Sequence, residues 1–486
     1  MNAEQLKKFM FNTAWSFISA VATKISVVIT GILVARALGT QSFGEYGLIQ
    51  SAIVMLANVA AQTTTTATAK HIGQFKGQDL ERIGKGITLT LIFSLAFIGV
   101  IGSTALVAPT FFSETLLGSA TLGPVSMIVL LTIALIILSG WTQGCLTGWG
   151  QYRAIAAVNG AIAVLSIPAT YYLTVHYQLM GALAGLAGSQ LLIVLVGAVV
   201  CWKTLIRNNI SLRFKNVLTE KHALLSVGLP VLLTGLMVAP INWLGNKLLV
   251  QTQDGLSALG IYAAAMQWNA IFSHVSIVLG TVLIPMLASR VGGESRKLEA
   301  LNFLAGWLVV LVIIQPVILF PEMLTRLYGA GFLGKEFETT LILVILGSLL
   351  NAYKSGISRK MIVMDLAWYS VMSNIFWGAL FITGVWFFRD EGAQGIAKVF
   401  IGSQLIHFVL GLPYFIFKRI LPVALIANPT VLALWCVPLA NYTAQHYIQS
   451  PLYRLAILII TVLYIALAAW QLNRTFSDTA RVGNPL

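Results

Sequence analysis

Ala35-Arg36-Ala37-Leu38-Gly39-Thr40-Gln41-Ser42-Phe43-Gly44-Glu45-Tyr46-Gly47 returns as a fainter copy, Leu259-Gly260-Ile261-Tyr262 standing 216 positions after Phe43-Gly44-Glu45-Tyr46. A second echo fixes the register: Gly188-Ser189-Gln190-Leu191 recurs as Gly402-Ser403-Gln404-Leu405, offset 214. Two matches at nearly one offset indicate a duplicated half of about 215 residues. Each copy of the first motif is flanked by apolar runs of about 25 residues, long enough to cross a bilayer as helices. Each copy therefore reads as the tight link between two paired membrane helices.

Composition supports that reading. With 58% hydrophobic and 9% charged residues and a mean hydropathy of +0.86, the chain carries far less charge than a soluble globular domain. The apolar runs are continuous rather than short and alternating, which selects helices over a β-barrel. The expected fold is an all-α polytopic membrane protein with fourteen spans, at about 10–35, 44–68, 87–110, 123–145, 154–175, 180–202, 223–250, 258–288, 300–320, 339–357, 366–388, 394–417, 421–441 and 454–472.

Alternating the loops places 22 of the 30 basic residues on the side shared by both termini, among them Lys7, Lys70, Lys76, Arg82, Lys85, Arg213, Lys215, Lys354, Arg359 and Lys360. Such asymmetry predicts cytoplasmic termini, and it makes the net charge of +14 a topology signal rather than a nucleic-acid footprint. The predicted division is an N-terminal six-helix lobe at 1–205, a basic linker at 206–222, a C-terminal six-helix lobe at 223–419, and two further helices with a short tail at 420–486. The last span, Leu455 to Trp470, has almost no polar side chain and is expected to meet lipid all round. Cys145, Cys201 and Cys436 form no metal-type or redox-type cluster, so neither metal nor cofactor is expected.

Asn12, Ser16, Ser19, Thr23, Ser26 and Thr30 follow a 4-3-4-3-4 spacing and so share one face of span one. Span two repeats the pattern with Ser51, Asn58, Gln62 and Thr65, and span seven carries Asn242 and Asn246 one turn apart. Small hydroxyl residues commonly join helices to one another in membranes, whereas the amides point to a hydrated cavity. Lys24 is the sharpest feature: it stands 16 residues after Lys8 and 12 before Arg36, roughly 24 Å and 18 Å along the helix. A lysine stem cannot reach an interface from there, and holding an ammonium at that depth costs about 3 kcal/mol. No Asp or Glu falls in the middle third of a predicted span, so Lys24 is expected to flank an anion-accepting cavity. Lys247 and Lys398 lie nearer the outer ends, where snorkelling competes with a ligand role. His274 and His407 are intramembrane candidates for carrying protons.

Ala35-Arg36-x-Leu38-Gly39-x-x-x-Phe43-Gly44-x-Tyr46, the basic loop at 70–85, the echo Leu259-Gly260-Ile261-Tyr262-Ala263 and the turn Gly392-Ala393-Gln394-Gly395-Ile396-Ala397 together resemble the polysaccharide flippases. These form the oligosaccharide-lipid branch of the multidrug, oligosaccharidyl-lipid and polysaccharide exporter superfamily. The resemblance covers essentially the whole chain. It implies two six-helix lobes around a central cavity and alternating access. It also implies transfer of an undecaprenyl-pyrophosphate-linked glycan across the bacterial inner membrane, with polysaccharide polymerase or assembly proteins as partners. Relatives are thought to meet the pyrophosphate with cationic cavity residues, a role that Lys24 matches by analogy. Where many relatives carry an acidic residue late in span seven, this chain has Asn246-Lys247.

A cation-coupled multidrug antiporter is the alternative, but exchanging cations needs intramembrane carboxylates. A membrane glycosyltransferase or polymerase would need catalytic groups on a sizeable external loop. The longest external stretch, Pro321 to Glu338, is short, and no nucleotide-binding GxxxxGK[ST] loop is present, so no enzyme is expected. Within the opening motif, Gly39 and Gly44 permit the reversal, Phe43 and Tyr46 are interface aromatics, and Glu45 is placed to pair with Arg36. The motif is expected to clamp helices one and two at the outer gate.

Overall fold

The computed structural model describes residues 3–116, 125–224, 229–288, 296–364 and 366–478. Among the described residues the architecture is all-helical, with fourteen long helices. The first helical run, Ala3–Phe75, is broken at Gly39, whose backbone (φ 73°, ψ 177°) is open to glycine and costly for other residues. It therefore supplies two helices, α1 (3–38) and α2 (40–75). The run Tyr152–Arg207 is broken in the same way at Gln178 (φ 50°, ψ −134°), giving α5 (152–177) and α6 (179–207). Between them come α3 (Leu80–Val107) and α4 (Ser126–Gly148). The second half runs α7 (Leu229–Val250), α8 (Gly255–Ala288), α9 (Arg296–Leu319), α10 (Lys335–Val363), α11 (Ala367–Phe388), α12 (Gly392–Phe417), α13 (Pro429–Tyr447) and α14 (Pro451–Asp478). Each overlaps one predicted span. The largest difference lies at α13, which begins eight residues after the predicted start at 421.

By contact the chain divides into two compact units, Met1–Gly260 and Ile261–Leu486. In the first, α4 packs on α2 through a stripe of glycines. A side chain at Gly140 would lie 2.6 Å from the Ala61 carbonyl oxygen, one at Gly144 would lie 2.9 Å from Thr65, and one at Gly148 would lie 2.7 Å from Ile72. Spaced four apart, these glycines let the two backbones approach, the usual basis of helix association where lipid removes the hydrophobic drive. Thr65 Oγ1 uses that proximity to donate to the Gly140 carbonyl at 2.7 Å, and Thr68 Oγ1 donates to Thr90 Oγ1 on α3 at 2.8 Å. The hydroxyls of this stretch are thus structural. At the end of the unit that holds the α2–α3 turn, Ile72, Ile83, Ile87, Cys145, Leu146, Cys201, Leu205 and Ile210 form an apolar cluster.

In the second unit, Asn441 on α13 donates to Gln315 Oε1 on α9 at 2.8 Å and to Thr461 Oγ1 on α14 at 3.2 Å. The two last helices are therefore tied to the unit by buried polar bonds. This corrects the expectation that α14 meets lipid all round. Thr461, Ile465, Ala468 and Leu472, spaced 4-3-4, are buried, whereas Ile460, Leu463 and Leu467 are exposed. At one end Arg454 bonds Glu322, the Leu319, Ile448 and Gln445 carbonyls, and so clamps α14 to α9.

Candidate functional site

The opening motif folds as α1, a glycine break and the start of α2, and its echo lies at the start of α8. Within the first unit the two are in contact. A side chain at Gly44 would lie 1.8 Å from the Leu256 carbonyl oxygen, and one at Gly260 would lie 2.0 Å from that of Thr40. Ser257 Oγ donates to Thr40 Oγ1 at 2.8 Å beside them. Phe43, Tyr46, Leu259 and Tyr262 are all buried, so the aromatics serve packing rather than an interface. Arg36 is exposed and Glu45 half-buried, and the ion pairs of the described residues include none between them.

Lys24 sits half-buried on α1, beside buried Ser26 and exposed Ile25 and Val27. Among the described residues no hydrogen bond or ion pair reaches its ammonium. Of the polar stripe on this helix, Asn12, Ser16 and Ser19 fall where side chains lie outside the described residues. On α2, Ser51 Oγ turns back to the Leu48 carbonyl at 2.7 Å, while Asn58 is half-buried and Gln62 exposed. That part of α2 packs on α7, where a side chain at Gly235 would lie 3.2 Å from Val59. Farther along α7, Asn242 Nδ2 donates to the Val238 carbonyl at 3.1 Å, Asn246 is half-buried, and the Lys247 ammonium stands 5.2 Å from the Trp243 ring centroid. Lys24, Asn58, Gln62, Asn242, Asn246 and Lys247 thus all belong to the first unit.

Lys398 belongs to the second. Its ammonium meets Glu391 at 2.6 Å, and both side chains are nearly half exposed, the geometry of a snorkelling lysine at a helix end. His274 is half-buried on α8. His407 is in a different situation, for both ring nitrogens are engaged: Nδ1 meets Lys354 Nζ at 3.0 Å and Nε2 meets Ser373 Oγ at 2.7 Å. Lys354 also donates to Gln404 Oε1 at 2.5 Å. Three helices, α10, α11 and α12, meet in this polar cluster.

The charge count that places Arg359 and Lys360 in a loop is corrected here, because α10 ends only at Val363 and both lie inside it, beyond Lys354, which the predicted span already held. Arg359 is 4% exposed. Its Nε donates to Asn302 Oδ1 at 2.8 Å, its Nη1 to Ser355 Oγ at 3.0 Å and to the Ser276 carbonyl at 3.2 Å, and its Nη2 to the Asn302 carbonyl. A guanidinium held wholly by neutral acceptors braces α8, α9 and α10. Lys360, one residue on, pairs with Glu299. The sequence signal for the cluster was Gln404, which sits in the second echo, Gly402-Ser403-Gln404-Leu405.

The basic linker is not a free tether. Glu220, its one acid, is buried, and takes a bidentate pair of bonds from Arg82 Nε at 2.9 Å and Nη2 at 3.1 Å. His71 Nε2 stands 4.0 Å from the same carboxylate. The Arg213 amide donates to Thr88 Oγ1 at 3.0 Å, and Ser211 crosses so close that a side chain at Gly84 would lie 2.3 Å from its carbonyl oxygen. The linker is strapped across α2 and α3.

Comparison with known proteins follows the same lines. Residues 9–290 match the family described as polysaccharide biosynthesis protein. The EPS I polysaccharide export inner membrane protein EpsE of Ralstonia nicotianae (strain ATCC BAA-1114 / GMI1000) is 25% identical over 293 residues, 58% of this chain. The protein of the same name from Ralstonia solanacearum is 26% identical over 296 residues. The match spans 64% of the length of each relative. Among solved structures, the lipid II flippase MurJ in an inward closed conformation superposes with a TM-score of 0.72 at 13% identity, covering 97% of this chain and all of that one. An inward-facing multidrug resistance transporter of the MATE family, of the MOP superfamily, gives 0.64 at 17% identity, covering 82% of this chain and 94% of that one. Both likenesses concern the fold.

Proposed function

Because the chain belongs to the polysaccharide biosynthesis protein family, we propose that it is a membrane exporter carrying a lipid-linked oligosaccharide from the inner to the outer leaflet. The cargo is an undecaprenyl-pyrophosphate-linked repeat unit, and movement is by alternating access of the two sequence-related lobes, 1–205 and 223–419. The protein lies in the bacterial inner membrane with both termini in the cytoplasm, and acts as a transporter rather than an enzyme. The relatives named as polysaccharide export inner membrane proteins support this, as does the fold shared with a lipid II flippase.

The observation that carries the choice of cargo is Lys24, half-buried along α1 with no carboxylate beside it among the described residues. An ammonium in hydrocarbon needs water or an anion. A pyrophosphate supplies the anion, whereas a cationic drug does not, which weighs against the antiporter reading despite the shared fold. Asn58, Gln62, Asn242, Asn246 and Lys247 are the further lining residues of this reading. An inside-negative potential of about 100 mV would favour outward movement by roughly 2.3 kcal/mol per negative charge crossing the field. Complementation of a deletion strain tests it. Lys24→Ala should abolish surface polysaccharide and accumulate the lipid-linked unit in the inner leaflet while the protein still inserts; Lys24→Arg should retain part of the export. Normal export by the alanine variant would remove Lys24 from the mechanism.

A further inference from the structure

The cluster at the junction of α10, α11 and α12 answers to none of the structural duties met so far. Lys354 is an ammonium inside a membrane helix, held by Gln404 Oε1 and His407 Nδ1. No carboxylate occurs in the sequence between 392 and 422, and Asp365, the one acid between 339 and 389, lies outside the described residues. Of the other charged groups of these helices, Lys335, Glu336 and Glu338 lie in the first turn of α10, about five turns from Lys354, and the rest are engaged elsewhere: Arg359 with Asn302 and Ser355, Lys360 with Glu299, and Lys398 with Glu391. The phenols nearby are in ring contacts, Tyr353 edge-on to Phe408 and Tyr369 stacked on Tyr414 at 3.9 Å. From α11 the groups facing His407 are Ser373 and the Phe376 ring.

The hydrogen-bond pattern limits the proton count. With the ammonium donating to Nδ1, the imidazole is neutral and its proton sits on Nε2, which donates to Ser373 Oγ. An imidazolium would carry a proton on Nδ1 as well. That proton would point at an ammonium 3.0 Å away, with no anion to offset either charge. In this packing the pair has room for one charge.

We propose that Lys354 and His407 form a single proton-binding site, carrying one charge while α10, α11 and α12 are packed and accepting a second proton at His407 Nδ1 only when α10 and α12 part. The proton comes from hydronium, one of whose O–H bonds breaks to leave water as the N–H bond forms at Nδ1, and the reverse transfer returns it to water as the helices close. Resting on the exporter reading, this gives the second unit a way to couple helix separation to proton uptake. Lys354 is the partner that distinguishes a proton site from a histidine bonded for packing alone.

Solid-state nitrogen NMR of the full-length, histidine-labelled protein in phosphatidylethanolamine–phosphatidylglycerol bilayers tests it without substrate. Subtraction of a His407→Gln spectrum assigns the ring among the six histidines. At pH 7 His407 should show the neutral tautomer protonated on Nε2. Replacing Lys354 by Gln should displace the pH midpoint of His407 tenfold or more in proton concentration and leave the other five in place. Ser373→Ala, on a different helix, is the second probe and should alter the tautomer. A His407 protonated on Nδ1 in the unaltered protein, or a midpoint indifferent to Lys354→Gln, overturns the proposal. Export is scored separately in the deletion strain. If the unaltered protein fails to restore it, the exporter reading falls, and the NMR result still decides the proton site.

Discussion

Three lysines on membrane helices show how context decides what one side chain does. Lys398 reaches a helix end and pairs with Glu391 there, Lys354 is held by neutral acceptors among three helices, and Lys24 stands half-buried with no partner among the described residues. An exposed ion pair contributes about 0–1 kcal/mol, so Lys398→Gln is expected to keep surface polysaccharide within about twofold of the unaltered protein, by the same complementation that tests Lys24. Loss of export in that variant would move Lys398 into the transport path. Lys24 was legible from spacing alone, because distance along a helix is a matter of counting. Lys354 was not, since a cation three residues inside the predicted end of a span, with two more cations within the next six residues, looks interfacial until its partners on neighbouring helices are known.

At the scale of elements, the linker strap and the motif contact each make a claim that can be checked. Arg82 and Glu220 are far apart in sequence, and a linker rich in Lys and Arg facing a basic loop would be expected to stay away from it. The bidentate bond turns that repulsion into attachment. Arg82→Ala or Glu220→Ala should cost about 2 kcal/mol, toward the low side because the Arg82 side chain is 45% exposed. The reversed pair, Arg82→Glu with Glu220→Arg, should recover part of that loss in thermal stability of the purified protein. At the motif contact, the Thr40–Ser257 bond brings two side chains within reach of a disulfide. In a Cys436→Ser background, Thr40→Cys with Ser257→Cys should stop export on oxidation and regain it on reduction. Export unaffected by the cross-link would show that these helices need not part.

For the molecule as a whole, the arrangement of helices was readable because each is a separate apolar run bounded by polar or glycine-rich links, and every predicted span has its counterpart. What could not be read was which face of a uniformly apolar helix is covered. In α14 the stripe Thr461, Ile465, Ala468 and Leu472 is told apart only by what it touches. Orientation remains the boldest whole-chain claim, resting on basic residues in loops. A membrane-impermeant thiol reagent applied from outside should label Gln253→Cys and Leu333→Cys but not Phe214→Cys or Leu218→Cys, all exposed positions. The reverse pattern would invert the topology.

The close approach of Gly44 to Leu256 and of Gly260 to Thr40 carries one more consequence. At an offset of 216, Thr40 corresponds to Leu256 and Gly44 to Gly260, so each copy offers its counterpart the same surface that it receives. The two approaches are therefore reciprocal, as paired contacts are in an isologous interface. The two glycines are separately mutable, yet a side chain at either one would meet the backbone of the facing helix, so enlarging either would force the same two helices apart.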